Sequence, residues 1–200
     1  RSGASGGDTG VAGSVGVTIA LGKNEAGGRA GSSVTLGGGD LDMKAASVTT
    51  SVASATPRGA VAASGEDLGV GASFAVNIEI AHTRAEVEDG ALLAMASGKE
   101  LGHATVDVDS THLIETEART GAASSKGDAV GGAVAVTFGE HHTTARLGDD
   151  VNIKLSGALD VSATHESGMK ATVDSAASGA NAGIGVSVAV AIGLDTTIAT

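Results

Sequence analysis

The chain has no cysteine, tryptophan or tyrosine, a single proline (Pro57), and only two phenylalanines, Phe74 and Phe138, in 200 residues. Without cysteine there are no disulfides, so stability has to come from packing and stacking, and the compartment stays open. Without aromatics, a thick globular core is excluded. The interior must be built from Val, Ile, Leu and Ala, which suits a thin, elongated core. Positive charge is scarce as well. Twelve Lys and Arg against 23 Asp and Glu give a net charge of −11, which argues against nucleic acid or an anionic membrane surface as a partner. No stretch approaches the roughly 18 unbroken apolar residues of a membrane span. The nearest, Ala182 to Leu194, is too short and too rich in glycine.

What is abundant is glycine, 32 residues in 200 or 16%, against a usual value of about 7%. Some of it recurs within a nine-residue phrase stated four times: VAGSVGVTI from Val11, VGASFAVNI from Val70, VGGAVAVTF from Val130 and IGVSVAVAI from Ile184. The starts are separated by 70−11 = 59, 130−70 = 60 and 184−130 = 54 residues. Four copies at near-even spacing mark an internal repeat. We delimit repeats 11–69, 70–129, 130–183 and a partial 184–200, one continuous array over 1–200. Because the chain opens at Arg1 just ahead of one repeat and stops at Thr200 inside another, we expect a fragment of a longer chain.

Large apolar residues hold the first, fifth, seventh and ninth places of the phrase, and small ones most of the places between. Alternation with period two is the mark of a strand with one face buried. The expected structural core of the repeat is therefore Val15, Val17 and Ile19; Phe74, Val76 and Ile78; Val134, Val136 and Phe138; Val188, Val190 and Ile192. The opposite face, with Gly16, Ala75, Ala135 and Ala189, is small enough for close packing, within the chain or between chains.

Beyond the phrase the repeats keep a common layout. Leu41-Asp-Met43, Val106-Asp-Val108 and Leu159-Asp-Val161 occupy matching places. Short alternating runs are separated by Gly, Asp or Ser turns, and no convincing helix is present. The expected fold is all-β: a repetitive, parallel β-helix-like solenoid of about 54–60 residues per repeat, with several short strands in each. At about 20 residues per coil a repeat makes about three coils and rises roughly 14 Å. Tandem small β-sandwiches are the alternative, although units this short fall well below the roughly 100 residues of an immunoglobulin-like sandwich.

The stretches Val70 to Ser110 and Gly131 to Ser167 resemble repeats of very large bacterial surface proteins, the leukotoxin-type filamentous adhesins and related autotransporter or haemagglutinin-repeat exoproteins. The likeness rests on a Gly-containing Val/Ala strand, a turn such as Arg146-Leu-Gly-Asp149, and a strand such as Gly157-Ala-Leu-Asp-Val-Ser-Ala163. The first repeat departs most, since Gly27 to Ser33 lacks the Gly-Asp turn. The resemblance implies a β-helical architecture, an extracellular or bacterial cell-surface location, a role in a fibre or stalk, and no catalytic residues.

Chemistry-bearing residues are few. His141 and His142 are adjacent, so in a strand they point to opposite faces and cannot share one ion. His82 matches His142 in the repeat, and Lys23 and Thr196 hold the same place, which marks an exposed column; at three coils per repeat its members stand roughly 14 Å apart. Gly37-Gly-Gly-Asp-Leu-Asp42 only faintly resembles a calcium-binding nonapeptide, because Asp40 and Lys44 stand where Gly and an apolar residue are required. Asp149, Asp150, Asp107 and Asp109, with Glu86, Glu88 and Asp89, are the residues able to offer oxygens to Ca²⁺; solvated acidic turns are the favoured explanation of each. A polysaccharide-cleaving β-helix would need a groove lined with aromatics and basic residues, which this composition does not supply. Threonine pairs such as Thr143-Thr144 do not form the coil-after-coil ladder of an ice-binding face. We expect no enzyme activity and no cofactor other than Ca²⁺. The expected partners are other copies of the chain or flanking repeats, with a host surface or carbohydrate as a further ligand. The expected role is spacing or self-assembly in a filament or adhesin stalk, the alternative being a Ca²⁺- or carbohydrate-binding module.

Overall fold

A computed structural model describes residues 3–56, 63–149 and 151–200. Pro57 and Asp150 lie outside them. The fold is all-β with parallel sheets, and no helix occurs among the described residues. Twelve strands follow in order: β1 Ala4–Ser5, β2 Thr9–Gly28, β3 Ser33–Leu36, β4 Gly39–Ala55, β5 Ala63–Gly65, β6 Leu68–Val87, β7 Leu92–Met95, β8 Leu101–Ser124, β9 Asp128–Leu147, β10 Val151–Asn152, β11 Leu159–Ser178 and β12 Ala182–Ala199.

These build three parallel sheets. One runs β12-β9-β6-β2, a second β10-β7-β3, and in the third β8 pairs with β11 on one side and with β4 and β5 on the other, β1 lying beyond β5. The register sets Val11 beside Val70, Val70 beside Val130, and Val130 beside Ile184. The offsets between phrase copies are thus the register offsets of the sheet. This corrects the expectation of three coils per repeat. Each stretch from one phrase to the next supplies one strand to the first sheet, one to the short sheet, and one long strand (or β4 with β5) to the third. Matching residues stand one strand spacing apart, about 4.8 Å, and not roughly 14 Å. Instead of several short strands, the main elements run 17 to 24 residues.

A second correction concerns which face is inside. Along β6 the residues of the small face, Gly69, Gly71, Ser73, Ala75, Asn77 and Glu79, are buried, while Phe74 on the large face is 41% exposed. Val15, Val17, Ile19, Val188, Val190 and Ile192 are exposed, and Val76, Ile78, Val134, Val136 and Phe138 are half-buried. The residues expected to form the core therefore line the outer face. The reason is the approach of the opposing sheet. A Cβ at Gly71 would stand 2.7 Å from the Gly121 carbonyl oxygen, and one at Gly131 would stand 2.8 Å from that of Ala176. At Gly10 and Gly69 it would overlap the carbonyls of Ser64 and Ala123. Two backbones this close leave no room for Val or Phe between them.

The interior widens away from that edge. Near the closing turns it holds only Gly, Ala and Ser. Further along, Ala85, Ala145, Val106 and Val108 form a buried cluster. At the short sheet, Val87, Ala91 and Leu93 pack with Leu36, Leu41, Met43, Leu147, Val151 and Ile153. Core side chains of ordinary apolar size, Val, Leu and Met, thus gather at the wide end. In between, polar side chains are paired across the two long sheets, as burial requires. Asn77 accepts a 2.6 Å hydrogen bond from Ser51 Oγ on Oδ1, and its Nδ2 donates to the Ser51 and Glu115 carbonyls at 2.9 and 3.0 Å. Thr137 donates to Thr116 at 2.7 Å.

Candidate functional site

Halfway along the interior the small and polar pattern is broken by ionisable side chains. Glu79 is on β6, His112 on β8, His141 on β9, His165 on β11 and Asp195 on β12. Glu79, His112 and His141 are each 1–2% exposed, whereas Asp195, on the outermost strand, keeps 32% of its side chain accessible. The His112 Nδ1–H donates to Glu79 Oε1 at 2.6 Å, and the His141 Nδ1–H donates to Asp195 Oδ1 at 2.7 Å. Ser167 donates to the other Asp195 oxygen at 2.7 Å, and Ser110 Oγ pairs with His165 Nδ1 at 2.8 Å. The rings of His112 and His141 stack at 4.3 Å.

Three buried polar atoms in this cluster have no hydrogen-bond partner: Glu79 Oε2, His141 Nε2 and His165 Nε2. His165 Nε2 stands 3.3 Å from Asp195 Oδ1, close enough for attraction but poorly aligned for a hydrogen bond. Burial pushes the His112 imidazole below its ordinary value, and the neighbouring His141 and His165 work in the same direction against the Glu79 carboxylate. Burial works to raise the Asp195 carboxyl, but hydrogen bonds from Ser167 and His141 and the nearby His165 hold it below its ordinary value. One ligand atom each from Glu79, His112 and His141 lie within 4.8 Å of one another, and the same holds for His141, His165 and Asp195.

None of the acidic residues singled out in the sequence belongs to this cluster. Asp107 accepts a 2.5 Å hydrogen bond from Ser162, and Asp109 is exposed on the outer face of the same strand. Asp149, in the turn after β9, donates its backbone N–H to Asp89 at 3.1 Å. Asp150 lies outside the described residues. Arg146 pairs with both Glu86 and Asp89, so these acidic positions already hold a cation; Arg146 and the Asp149 amide together keep the Asp89 carboxyl below its ordinary value. In the Gly37–Asp42 stretch, Asp40 accepts the His103 backbone N–H at 2.8 Å. His141 and His142 do face opposite ways. His142 is on the outside, its ring 4.9 Å from that of His82. Burial, with the His142 and Arg84 charges, pushes His82 below its ordinary value.

Two surfaces remain. The outer face of the four-stranded sheet carries Val11, Val15, Val17, Ile19 and Leu21 on one edge strand and Ile184, Val186, Val188, Val190, Ile192 and Leu194 on the other, all exposed. Ten residues of strand across four strands make this face roughly 33 Å by 19 Å, or about 600 Å², at the top of the range for soluble monomers. Gly13, Ala72 and Gly132 form a low row in it, part of a groove of about 380 Å³ whose walls include Val15, Phe74, Val134 and Val186. The second surface is the pair of open edges. β2, β3, β4 and the short β1 end the sheets on one side, and β12, β10 and β11 on the other. β12 is 18 residues long with no proline and one charge, Asp195, which turns inward to His141. Natural edge strands are usually guarded by lysine, proline or a bulge.

Among the described residues no helix is long and apolar enough to cross a membrane. No protein-family model matches the chain, and neither the curated proteins nor the solved structures give a match.

Proposed function

We propose that the chain is a structural stacking element: a β-solenoid segment that lengthens or spaces a bacterial extracellular filament or adhesin stalk, with further repeats or another copy adding at its ends. The observation that carries this reading is the in-register column of like residues, such as Val17, Val76, Val136 and Val190, ending on an edge strand, β12, that has neither lysine nor proline. A strand with the same pattern extends every column by one place and pairs the free backbone groups of β12 or β2. The apolar outer face offers a second, lateral contact. The resemblance of the repeats to filamentous surface adhesins supports the extracellular setting. The pairing of Arg146 with Glu86 and Asp89 weakens the rival reading of these turns as Ca²⁺ sites.

Electron microscopy of the purified chain over a range of concentrations tests the proposal. Rods that lengthen with concentration, or bundle side by side, are the expected result. Uniform single-chain particles at every concentration overturn self-assembly, and a melting temperature raised by millimolar Ca²⁺ would favour the binding-module reading instead.

A further inference from the structure

We propose that Glu79, His112 and His141 form a buried site for a divalent transition metal of the zinc type, and that the ion clamps neighbouring repeats together from the inside. This stands independently of the assembly reading.

The first argument is geometric. A tetrahedral zinc ion with bonds of about 2.0–2.1 Å holds its ligand atoms roughly 3.3 Å apart. His112 Nδ1 and His141 Nε2 stand 2.6 and 3.7 Å from the same Glu79 oxygen, on either side of that value. The three ligand atoms lie within 4.8 Å of one another on backbones fixed by the ladder, and the stacked rings of His112 and His141, 14° from parallel, have to tilt for both nitrogens to face one ion. The ion takes the place of the proton now held between His112 and Glu79, and that proton leaves to solvent.

The second argument is the unpartnered atoms. Glu79 Oε2 and His141 Nε2 are buried, lack hydrogen bonds and belong to residues 1% exposed. Leaving such atoms unpaired is costly, and three of the five unpartnered buried side-chain atoms among the described residues fall in this cluster, the others being Thr83 Oγ1 and Thr120 Oγ1. Bound beside Glu79 Oε1, a cation gives His141 Nε2 its partner, and Oε2 gains one where the carboxylate binds through both oxygens. The cation also supplies the positive charge that a buried carboxylate requires.

The third argument is the support around the ligands. A metal-bound histidine normally donates its other ring N–H to a carboxylate, which orients the ring and raises its basicity. His141 does this already, Nδ1 to Asp195 at 2.7 Å, and Ser167 fixes Asp195 in turn. His165 packs beside both rings, 5.7 and 5.3 Å from those of His112 and His141.

The fold does not demand these residues. In the first repeat, Ala20 pairs in register with Glu79, Thr49 with His112, and Gly22 with Ala81, which is paired with His141. The same paired sheets are built there without any ionisable group. Glu79 and His112 belong to one repeat, His141 and His165 to the next, and Asp195 to the last, so an ion here ties successive layers across both long sheets.

The test uses the full chain, stripped with chelator, then titrated with Zn²⁺ or Co²⁺ as the only additive. Expected are one ion bound per chain, a rise in melting temperature of about 5–10 °C at a large excess over Kd, and the intense visible absorption of tetrahedral Co²⁺. Glu79→Gln and His112→Asn weaken binding at least tenfold, whereas His82→Asn with His142→Asn, on the outer face, leaves it unchanged. The proposal is overturned if wild-type protein binds no ion or gives only a weak octahedral Co²⁺ spectrum, a result that needs no variant to fold. It is also overturned if binding survives Glu79→Gln or is lost with the outer histidines.

Discussion

The two faces of the β2-β6-β9-β12 sheet are made from the same strands and meet opposite demands. The outer face carries Val, Ile, Leu and Phe and is largely open to solvent; the inner face carries mostly Gly, Ala, Ser, Asn and Thr and is buried on the two central strands, β6 and β9. Hydrophobicity alone would put them the other way round. Size decides instead, because the opposing backbone comes within contact distance of the inner face. The inner face gains from close backbone approach and paired hydroxyl and amide groups. The outer face is left with apolar area that only a partner can remove from water. The interior is specified by shape and hydrogen bonds, and the surface by its capacity to stick.

The comparison breaks most sharply at the narrow edge. Gly69→Val places a branched side chain into the Ala123 carbonyl. It is expected to cost more than about 4 kcal/mol, the level reached by severe overpacking, and to leave little folded protein by far-UV circular dichroism at 25 °C. Asn77→Ala comes next. It removes a fully buried amide and three hydrogen bonds, stranding Ser51 Oγ and the Ser51 and Glu115 carbonyls, and is expected to cost about 2–4 kcal/mol in a urea melt. Phe74→Thr, on the outer face three positions away, sharpens the contrast. It is expected to change stability by less than about 1 kcal/mol while reducing side-by-side association in light scattering. A large loss of stability in Phe74→Thr together with tolerance of Gly69→Val would reverse the assignment of inside and outside.

The alternation and the phrase offsets were legible in the sequence, and the offsets match the register that pairs Val11 with Val70 and Val130 with Ile184. What the strands do between phrases was not. A run such as Thr49 to Ala55, Ser- and Ala-rich with weak periodicity, becomes a long strand because β8 beside it supplies a ladder. The inside face was misread because period two distinguishes two faces without saying which is buried. The five-residue ionisable cluster was missed because its contacts span 33 and 54 positions and cross from one sheet to the other. A signal did exist. Aligned by the phrase, Glu79 falls in a column with Ala20, Gly139 and Gly193, and His141 and Asp195 share one with Gly22 and Ala81. A charge or imidazole in a column of otherwise tiny residues is worth pursuing for that reason alone.

The register also has a kinetic consequence. Nearly every strand pairs with one 54 to 63 positions away, from Ile184 with Val130 to Ala104 with Leu41, roughly 0.3 of the chain length. Almost nothing local rewards the first closure, so a loop of that size must be ordered before any ladder forms, the situation in which folding is slowest. Once one circuit exists its edge is a finished template, and each later circuit zips onto it at far lower entropic cost. Folding of such a chain resembles crystal growth, with a rare seed and rapid addition, and an edge already formed elsewhere would serve as the seed.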